Sequence, residues 1–256
     1  MAFSDDPTGA FYDDLAPLYK FIYVDWEESV DEQAKWLDGM IKQSFKGNIH
    51  SILDAACGIG TQLIGLSKLG YQLTGADISQ RELDIAMEEL QKNNITVDLH
   101  HCGFKDLTSC FRGKMFDLVI AIDNAIPHLL TDAKVLEAFA AMYRVSRKGA
   151  LISVRDYDRV DKSKMKMVPF GYRQVNGKLL FLFQRWEFKE EIVSVSFFFI
   201  EENNTGRMSP VNGRVYRTKF YAIGIDKLMD LLNKEGFENI ECIMNGYLQP
   251  VIIGKK

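Results

Sequence analysis

Cysteine is scarce in this chain. Four occur in 256 residues, at positions 57, 102, 110 and 242, and none forms a C-x-x-C pair. That spacing suggests neither a zinc site nor a disulfide framework, so reduced thiols and a cytoplasmic location are expected. Excess positive charge is also missing. Lys and Arg total 31 against 35 Asp and Glu, for a net charge of -4. A nucleic-acid binder usually carries a basic face, so nucleic acid is not an expected partner. No apolar run approaches the length of about 18 residues that spans a bilayer, so no membrane association is expected. The opening "MAFSDDPTGAF" lacks the basic-then-apolar order of a signal peptide. No low-complexity segment or internal repeat interrupts the chain.

What is present suits one large domain, or a domain with a sizeable insertion. Composition is 47% hydrophobic and 26% charged, ordinary for a globular protein. Residues 1–10 read as a loose tail. Helical spacing over 11–45 predicts two helices broken near Pro17. Short apolar runs then alternate with helices. Strands are expected over 49–55, 72–76, 96–101, 116–122 and 150–155, and helices over 61–69, 79–92 and 132–145. Ser79 reads as an N-cap with Glu82 as its capping-box partner. This alternation implies a parallel sheet covered on both faces.

After residue 156 the pattern changes. Asn176–Gly177 is a hairpin signal, and further strands are expected over 192–200 and 211–222, with the turn "EENNTG" between them. Four strands without helices imply an antiparallel layer inserted into the α/β unit. A helix over 226–234 and two strands over 240–244 and 247–253 close the chain. The expected organisation is an N-terminal helical lid (1–45), an α/β domain (46–156 and 223–256) and an inserted β cap over the substrate (157–222).

The stretch "LDAACGIGTQ" places glycines where the first strand meets its helix. Gly58 and Gly60 let backbone approach a ligand without an intervening Cβ. Asp77, at the end of the second strand, is positioned to take both hydroxyls of a ribose. The ligand should therefore contain a nucleoside. A dinucleotide motif would put glycine where Leu63 stands, and Asp54 would repel a pyrophosphate. No G-K-[ST] follows, which excludes a Walker loop. An acid before the glycines suits a ligand with a positive centre, such as S-adenosylmethionine.

"LDAACGIGTQ" with "GADIS" resembles the class I S-adenosylmethionine-dependent methyltransferases. "FYDDLAPLYKFIYVDW", "FDLVIAIDNAIPHLL", "SVRDYD" and "YLQP" resemble bacterial relatives of glycine and glycine–sarcosine N-methyltransferases. The resemblance implies a doubly wound, mostly parallel seven-stranded sheet whose last strand is antiparallel. It implies cofactor roles for Asp54, Ala56, Gly58, Gly60, Asp77 and Ile78, with Thr61 and Gln62 beside the methionine moiety. Tyr12 and Tyr19 match aromatic positions of the lid. Ile122 and Asn124 match a loop presenting carbonyls and an amide near the methyl group. Arg155 matches a position that holds a substrate carboxylate. Two departures stand out. Gly103 occupies the place of an adenine-binding acid, leaving a backbone contact at Phe104 or a reach back from Asp106. Asp31, Glu32 and Gln33 stand where relatives often carry an arginine for the methionine carboxylate.

Other residues are weighed on chemistry. His128 follows the fourth strand and is positioned as a base or as a wall of the pocket. His100 and His101 are adjacent on a strand and face opposite ways, so no metal site is expected. Trp26, Tyr19 and Tyr23 could line the sulfonium, where cation–π attraction is worth roughly 0.5–2 kcal/mol, or simply pack as helix residues. Arg155 could instead pair with Asp156 or Asp158. The expected reaction is methyl transfer from S-adenosylmethionine to a small amine or amino acid, releasing S-adenosylhomocysteine. The alternatives are O- or S-methylation, a silent S-adenosylmethionine binder, and a nicotinamide oxidoreductase. Homodimerisation is left open.

Overall fold

The runs around Ile52–Leu53, Val119–Ile120 and Leu151–Ile152 are apolar at successive positions, and all six residues are fully buried. Strands covered on both faces need such continuous runs. In the computed structural model, which describes residues 7–202, 211–247 and 249–256, they form the centre of a seven-stranded sheet. Its strands are β1 (Ser51–Asp54), β2 (Gln72–Asp77), β3 (Asp98–His101), β4 (Phe116–Ala121), β5 (Ser146–Ser153), β10 (Glu238–Ile243) and β11 (Val251–Lys255). The spatial order is β10-β11-β5-β4-β1-β2-β3, with β11 antiparallel to both neighbours and the other pairings parallel. The order reverses between β1 and β4, where ligands of such sheets bind.

Between β5 and β10 lie β6 (Lys166–Val175), β7 (Lys178–Lys189), β8 (Ile192–Glu202) and β9 (Val211–Tyr221), paired in sequence as an antiparallel sheet. Asn176 and Gly177 both have positive φ, as the β6–β7 turn requires. The inner face carries Leu180, Leu182, Trp186, Val193, Val195 and Phe197, which join one core cluster with Val154, Tyr157 and Ile126 from beyond β5 and β4. Of the turn expected over 201–206, residues 203–206 lie outside the described residues, as does Leu248.

The N-terminal helices are α1 (Pro7–Tyr19) and α2 (Trp26–Phe45). Residues 7–10 are therefore helical rather than a loose tail, while 1–6 lie outside the described residues. Pro17 does not break α1. The carbonyl of Asp13, which a proline four residues on cannot bond, accepts instead from Arg81 Nη1 at 3.4 Å. The break comes after a 3-10 turn at Lys20–Ile22, and Asp25 caps α2 through Glu28 N at 3.0 Å. Helix α1 packs against α4 (Gln80–Lys92) and β9. Arg173 on β6 donates to the carbonyls of Ile22 and Tyr23, so the inserted sheet is tied to the α1–α2 connection. Helix α2 lies on α3 (Thr61–Lys68), where a Cβ on Gly65 would fall 2.5 Å from that of Ala34.

Two further expectations are corrected. Cys102 and Cys110 form a disulfide, so they are not both reduced thiols; Cys57 and Cys242 are free. The bond joins the end of β3 to α5 (Leu107–Cys110), a short helix the apolar pattern did not signal. The last strand starts four residues later than expected, because Pro250 cannot donate to the ladder and Val154 N bonds its carbonyl instead. Helices α6 (Asp132–Val145) and α7 (Ile225–Lys234) complete the α/β layers. Among the described residues no helix is long and apolar enough to cross a membrane.

Candidate active site

Strand β1 delivers Asp54 to the switch point, fully buried. Its Oδ1 accepts from Ala56 N at 3.3 Å, and its Oδ2 has no hydrogen-bond partner. Burial pushes its pKa up to about 8, against the Ala56 hydrogen bond, with the nearby Asp77 and Asp123 adding to the rise. The chain then turns through Gly58 (φ 50°) and Gly60 (φ 90°) into α3. Asp77, at the end of the adjacent β2, braces this turn. Its Oδ2 accepts from Gly58 N at 2.8 Å and its Oδ1 from Ser79 N at 2.9 Å. Burial raises the Asp77 pKa, and these N–H donors oppose the rise.

A buried acid that stays protonated to high pH gives the native state more bound protons than the unfolded chain. Native stability then falls as pH rises from about 4 toward 8. In the absence of ligand, Asp54→Asn should therefore lose less melting temperature than wild type between about pH 5.5 and 8.5. Parallel scanning-calorimetry curves for the two proteins would contradict this.

The capping box is only half formed. Glu82 N donates to Ser79 Oγ at 3.1 Å, but Ser79 N is taken by Asp77, so the Glu82 carboxyl does not return to it. Ser79 Oγ donates to Asp13 Oδ1 at 2.6 Å, which fastens α1 beside the loop. Ile78 follows Asp77, and its carbonyl lies 2.8 Å from His101 Nε2. Gly103 and Phe104 open a 3-10 turn, and a Cβ on Gly103 would lie 3.9 Å from Asp106 Oδ2. The Asp106 carboxylate thus stands beside Gly103.

Strand β4 runs into Ile122, Asp123 and Asn124, the last two at φ 60° and 67°. Consecutive non-glycine residues in the left-handed region are strained and concentrate at functional sites. Asp123 N donates to Ser153 Oγ at 2.7 Å. Its carboxylate accepts from Tyr23 OH at 3.3 Å and from the amides of Gln33 and Gln62, each at 3.2 Å. Gln62 Nε2 also donates to Gln33 Oε1 at 2.9 Å. Asp123, Gln33 and Tyr23 therefore meet Gln62 from three elements; the sequence reading flagged Gln62 but assigned no role to Asp123. Asn124 is buried as a clip: Oδ1 accepts from Arg155 N and Nδ2 donates to Tyr157 OH, both at 3.0 Å.

The guanidinium of Arg155 lies 4.4 Å over the ring of Trp186, whose Nε1 donates to Gln184 at 2.8 Å. Among the described residues Arg155 has no ion pair; Asp156 pairs with Arg159, and Asp158 accepts from Ile225 N. Tyr12 OH lies 2.8 Å from His128 Nε2, and the His128 ring also faces Phe220 at 4.3 Å. Tyr12, Tyr19 and Tyr23 follow one another at ring separations of 6.1 and 6.3 Å. Burial holds all three phenols well above their ordinary pKa, with Glu82 and Asp123 among the acids that add to it. Trp26 is not brought to Arg155. Its Nε1 donates to Thr61 Oγ1 at 3.1 Å, and Lys20 Nζ sits 4.0 Å over its ring.

Residues 52–149 match a family model described as a methyltransferase domain. Residues 52–149 are thus similar to the class I, S-adenosylmethionine-dependent methyltransferase domains. That family uses S-adenosylmethionine as cofactor and releases S-adenosylhomocysteine. The chain is 27% identical over 172 residues to glycine N-methyltransferase from Rattus norvegicus, covering 57% of this chain and 53% of that protein. It spans about half the length of the curated relatives it matches. The fold of the methyltransferase domain with its added sheet is shared with DesVI of Streptomyces venezuelae, at TM-score 0.76 and 16% identity, over 93% of this chain and 97% of that one. It is also shared with S-adenosylmethionine-bound CalS10 from Micromonospora echinaspora, described as an amino pentose methyltransferase. There the TM-score is 0.73 at 15% identity, over 89% of this chain and 91% of that one. The residues present in the methyltransferase domain fit the cofactor. Asp54 offers an unpartnered buried oxygen to a cation, and Gly58 turns at positive φ with no side chain of its own.

Proposed function

We propose that the chain transfers a methyl group to the nitrogen of a small amine, and that this amine carries a carboxylate. The cofactor, when bound, supplies a methyl group on a positively charged sulfur. The chain's own residues bind, orient and exclude water. Asp77 would accept from the ribose, with Gly58, Gly60, Ala56 and Ile78 forming the backbone around the nucleoside and Phe104 the adenine wall. Asp54 and the Asp123–Gln33–Gln62 cluster would take the amino-acid end, doing without the arginine that relatives place on the second helix. Tyr12, Tyr19 and Ile122 would enclose the reacting centre. Asn124 and His128 would shape it, Asn124 through the Arg155–Tyr157 clip and His128 through Tyr12. The inserted sheet at 157–222 would cap the substrate over the α/β domain (46–156 and 223–256), and the helices of 1–45 would form the lid. A base is not needed for an amine, which reacts through its free lone pair. A desolvated pocket lowers an ammonium pKa and supplies that form. Holding nucleophile and methyl group in line can contribute about 7–11 kcal/mol.

One observation carries the carboxylate. Arg155 is stacked and oriented, yet it has no anionic partner among the described residues. A guanidinium held so can grip a carboxylate through two parallel hydrogen bonds. The similarity to glycine N-methyltransferase supports this reading. The fold shared with an amino pentose methyltransferase favours an amino sugar as the second reading. A screen with methyl-labelled cofactor over amino acids, amino sugars, thiols and phenols decides. Label transfer confined to thiols or phenols would sink the amine assignment.

Asp77→Ala removes charge-assisted hydrogen bonds worth about 1.5–3 kcal/mol each. Calorimetry should show S-adenosylhomocysteine binding weakened at least about tenfold. An unchanged dissociation constant would remove Asp77 from the ribose.

A further inference from the structure

One buried acid has no part in these assignments. Glu82 lies in the first turn of α4 and is 2% exposed. Only its amide takes part in capping. Its Oε1 has no hydrogen-bond partner, and it makes no ion pair among the described residues. Leaving a buried polar oxygen unpaired is unfavourable, and such a group calls for a partner. The other oxygen of the same carboxyl places the group beside the cofactor loop. A Cβ on Gly58 would fall 3.0 Å from Glu82 Oε2, while Gly58 N donates to Asp77 Oδ2 at 2.8 Å. Two carboxyl groups, one from the end of β2 and one from α4, thus converge on the glycine that turns the cofactor loop. Burial, with Asp77 and Asp13 adding to it, holds the Glu82 carboxyl protonated well above the usual range.

A protonated carboxyl has one O–H to donate and an oxygen that accepts, whereas an ionised one only accepts. Asp77 already accepts two backbone N–H groups, which favours its charged form. The pair therefore offers one donor and several acceptors. A vicinal diol offers two donors and two acceptors, and it matches such a pair better than two ionised acids would. We propose that Glu82 is a second ribose-reading residue, hydrogen-bonding one hydroxyl of the cofactor's ribose while Asp77 accepts from the other. The proposal rests on the cofactor reading above.

The test is calorimetric titration of S-adenosylhomocysteine and its 2′-deoxy and 3′-deoxy forms into wild type, Glu82→Gln and Glu82→Met. Glutamine keeps a donor and an acceptor, so Glu82→Gln should bind within about threefold of wild type. Glu82→Met keeps volume without polarity and should bind about tenfold more weakly. One deoxy ligand should lose affinity on wild type but show no further loss on Glu82→Met, because the two changes remove the same contact. Wild-type affinity in Glu82→Met, or an equal loss for all three ligands, overturns the proposal. If Glu82→Met does not fold, the Asp77→Ala protein decides. A residual preference of about threefold for intact ribose over one deoxy form supports Glu82, and equal affinity for all three ligands overturns it. Wild type that binds none of the three sinks the cofactor reading itself.

Discussion

Gly58→Val is expected to weaken S-adenosylhomocysteine binding by about a hundredfold or more while the circular dichroism spectrum stays native. Three causes act together. Gly58 holds φ 50°, a region that a β-branched residue rarely adopts. A Cβ there would come within 3.0 Å of Glu82 Oε2, and a branched side chain would add two methyl groups to the crowding. The amide of Gly58 also aims at Asp77 Oδ2, so any relief of strain by rotating the peptide breaks that hydrogen bond and misplaces the acid proposed for the ribose. The strand ends themselves are held by other bonds, such as Cys57 N to Ala76 O at 3.0 Å and Ala55 N to Ile120 O at 2.9 Å. The sheet should therefore survive what the loop does not. Isothermal titration with a parallel melting curve checks this. A variant that does not fold would mean the glycine serves the strand-to-helix turn alone.

Arg155→Lys should lower kcat/KM for a carboxylate-bearing amine by one to two orders of magnitude, about 1.5–3 kcal/mol of lost positioning. Lysine keeps the positive charge but loses both the planar fork and the stack on Trp186, which lies 4.4 Å away. Affinity for S-adenosylhomocysteine should hardly change, since the contacts assigned to the cofactor lie on other side chains. Rates should also rise with pH as the amine loses its proton. The decisive comparison sets the best amine from the screen against its decarboxylated analogue. Equal losses on both would show that Arg155 reads no carboxylate, and the methyl-transfer reading would stand without it.

Much of the frame was legible because its signals are local. Continuous apolar runs marked β1, β4 and β5, and Asn176–Gly177 marked the β6–β7 turn. Asp54, Gly58 and Asp77 could be joined on paper because β1 and β2 are neighbours whose ends meet at the same edge. The rest depends on contacts that no periodicity encodes. Gln33 and Asp123 come from a helix and a strand end ninety positions apart in sequence. Arg155 is held at its main-chain N by Asn124, past the end of β4, and at its guanidinium by Trp186 on β7. Glu82 obeyed the capping-box spacing, yet Asp77 outcompeted it for Ser79 N, since its own carboxylate lies only two residues away. Pro17 sits inside α1 because the cost of a missing N–H depends on whether the orphaned carbonyl finds another donor, here Arg81. The Cys102–Cys110 pair needed a helical turn to bring the two sulfurs together, and that turn carried no apolar signature.

The inserted sheet leaves and rejoins the α/β unit at nearly the same spot. Asp158, just past β5, accepts from Ile225 N at 3.2 Å, and its carboxylate lies so close to Gly224 that a Cβ there would fall 2.5 Å away. A loop whose two feet are stitched together can change its length and sequence without disturbing the register of the strands it interrupts. If that loop caps the substrate as proposed, it behaves as a cassette: one acceptor chemistry can be exchanged for another without disturbing the α/β unit, provided that an acid and a glycine remain at its base.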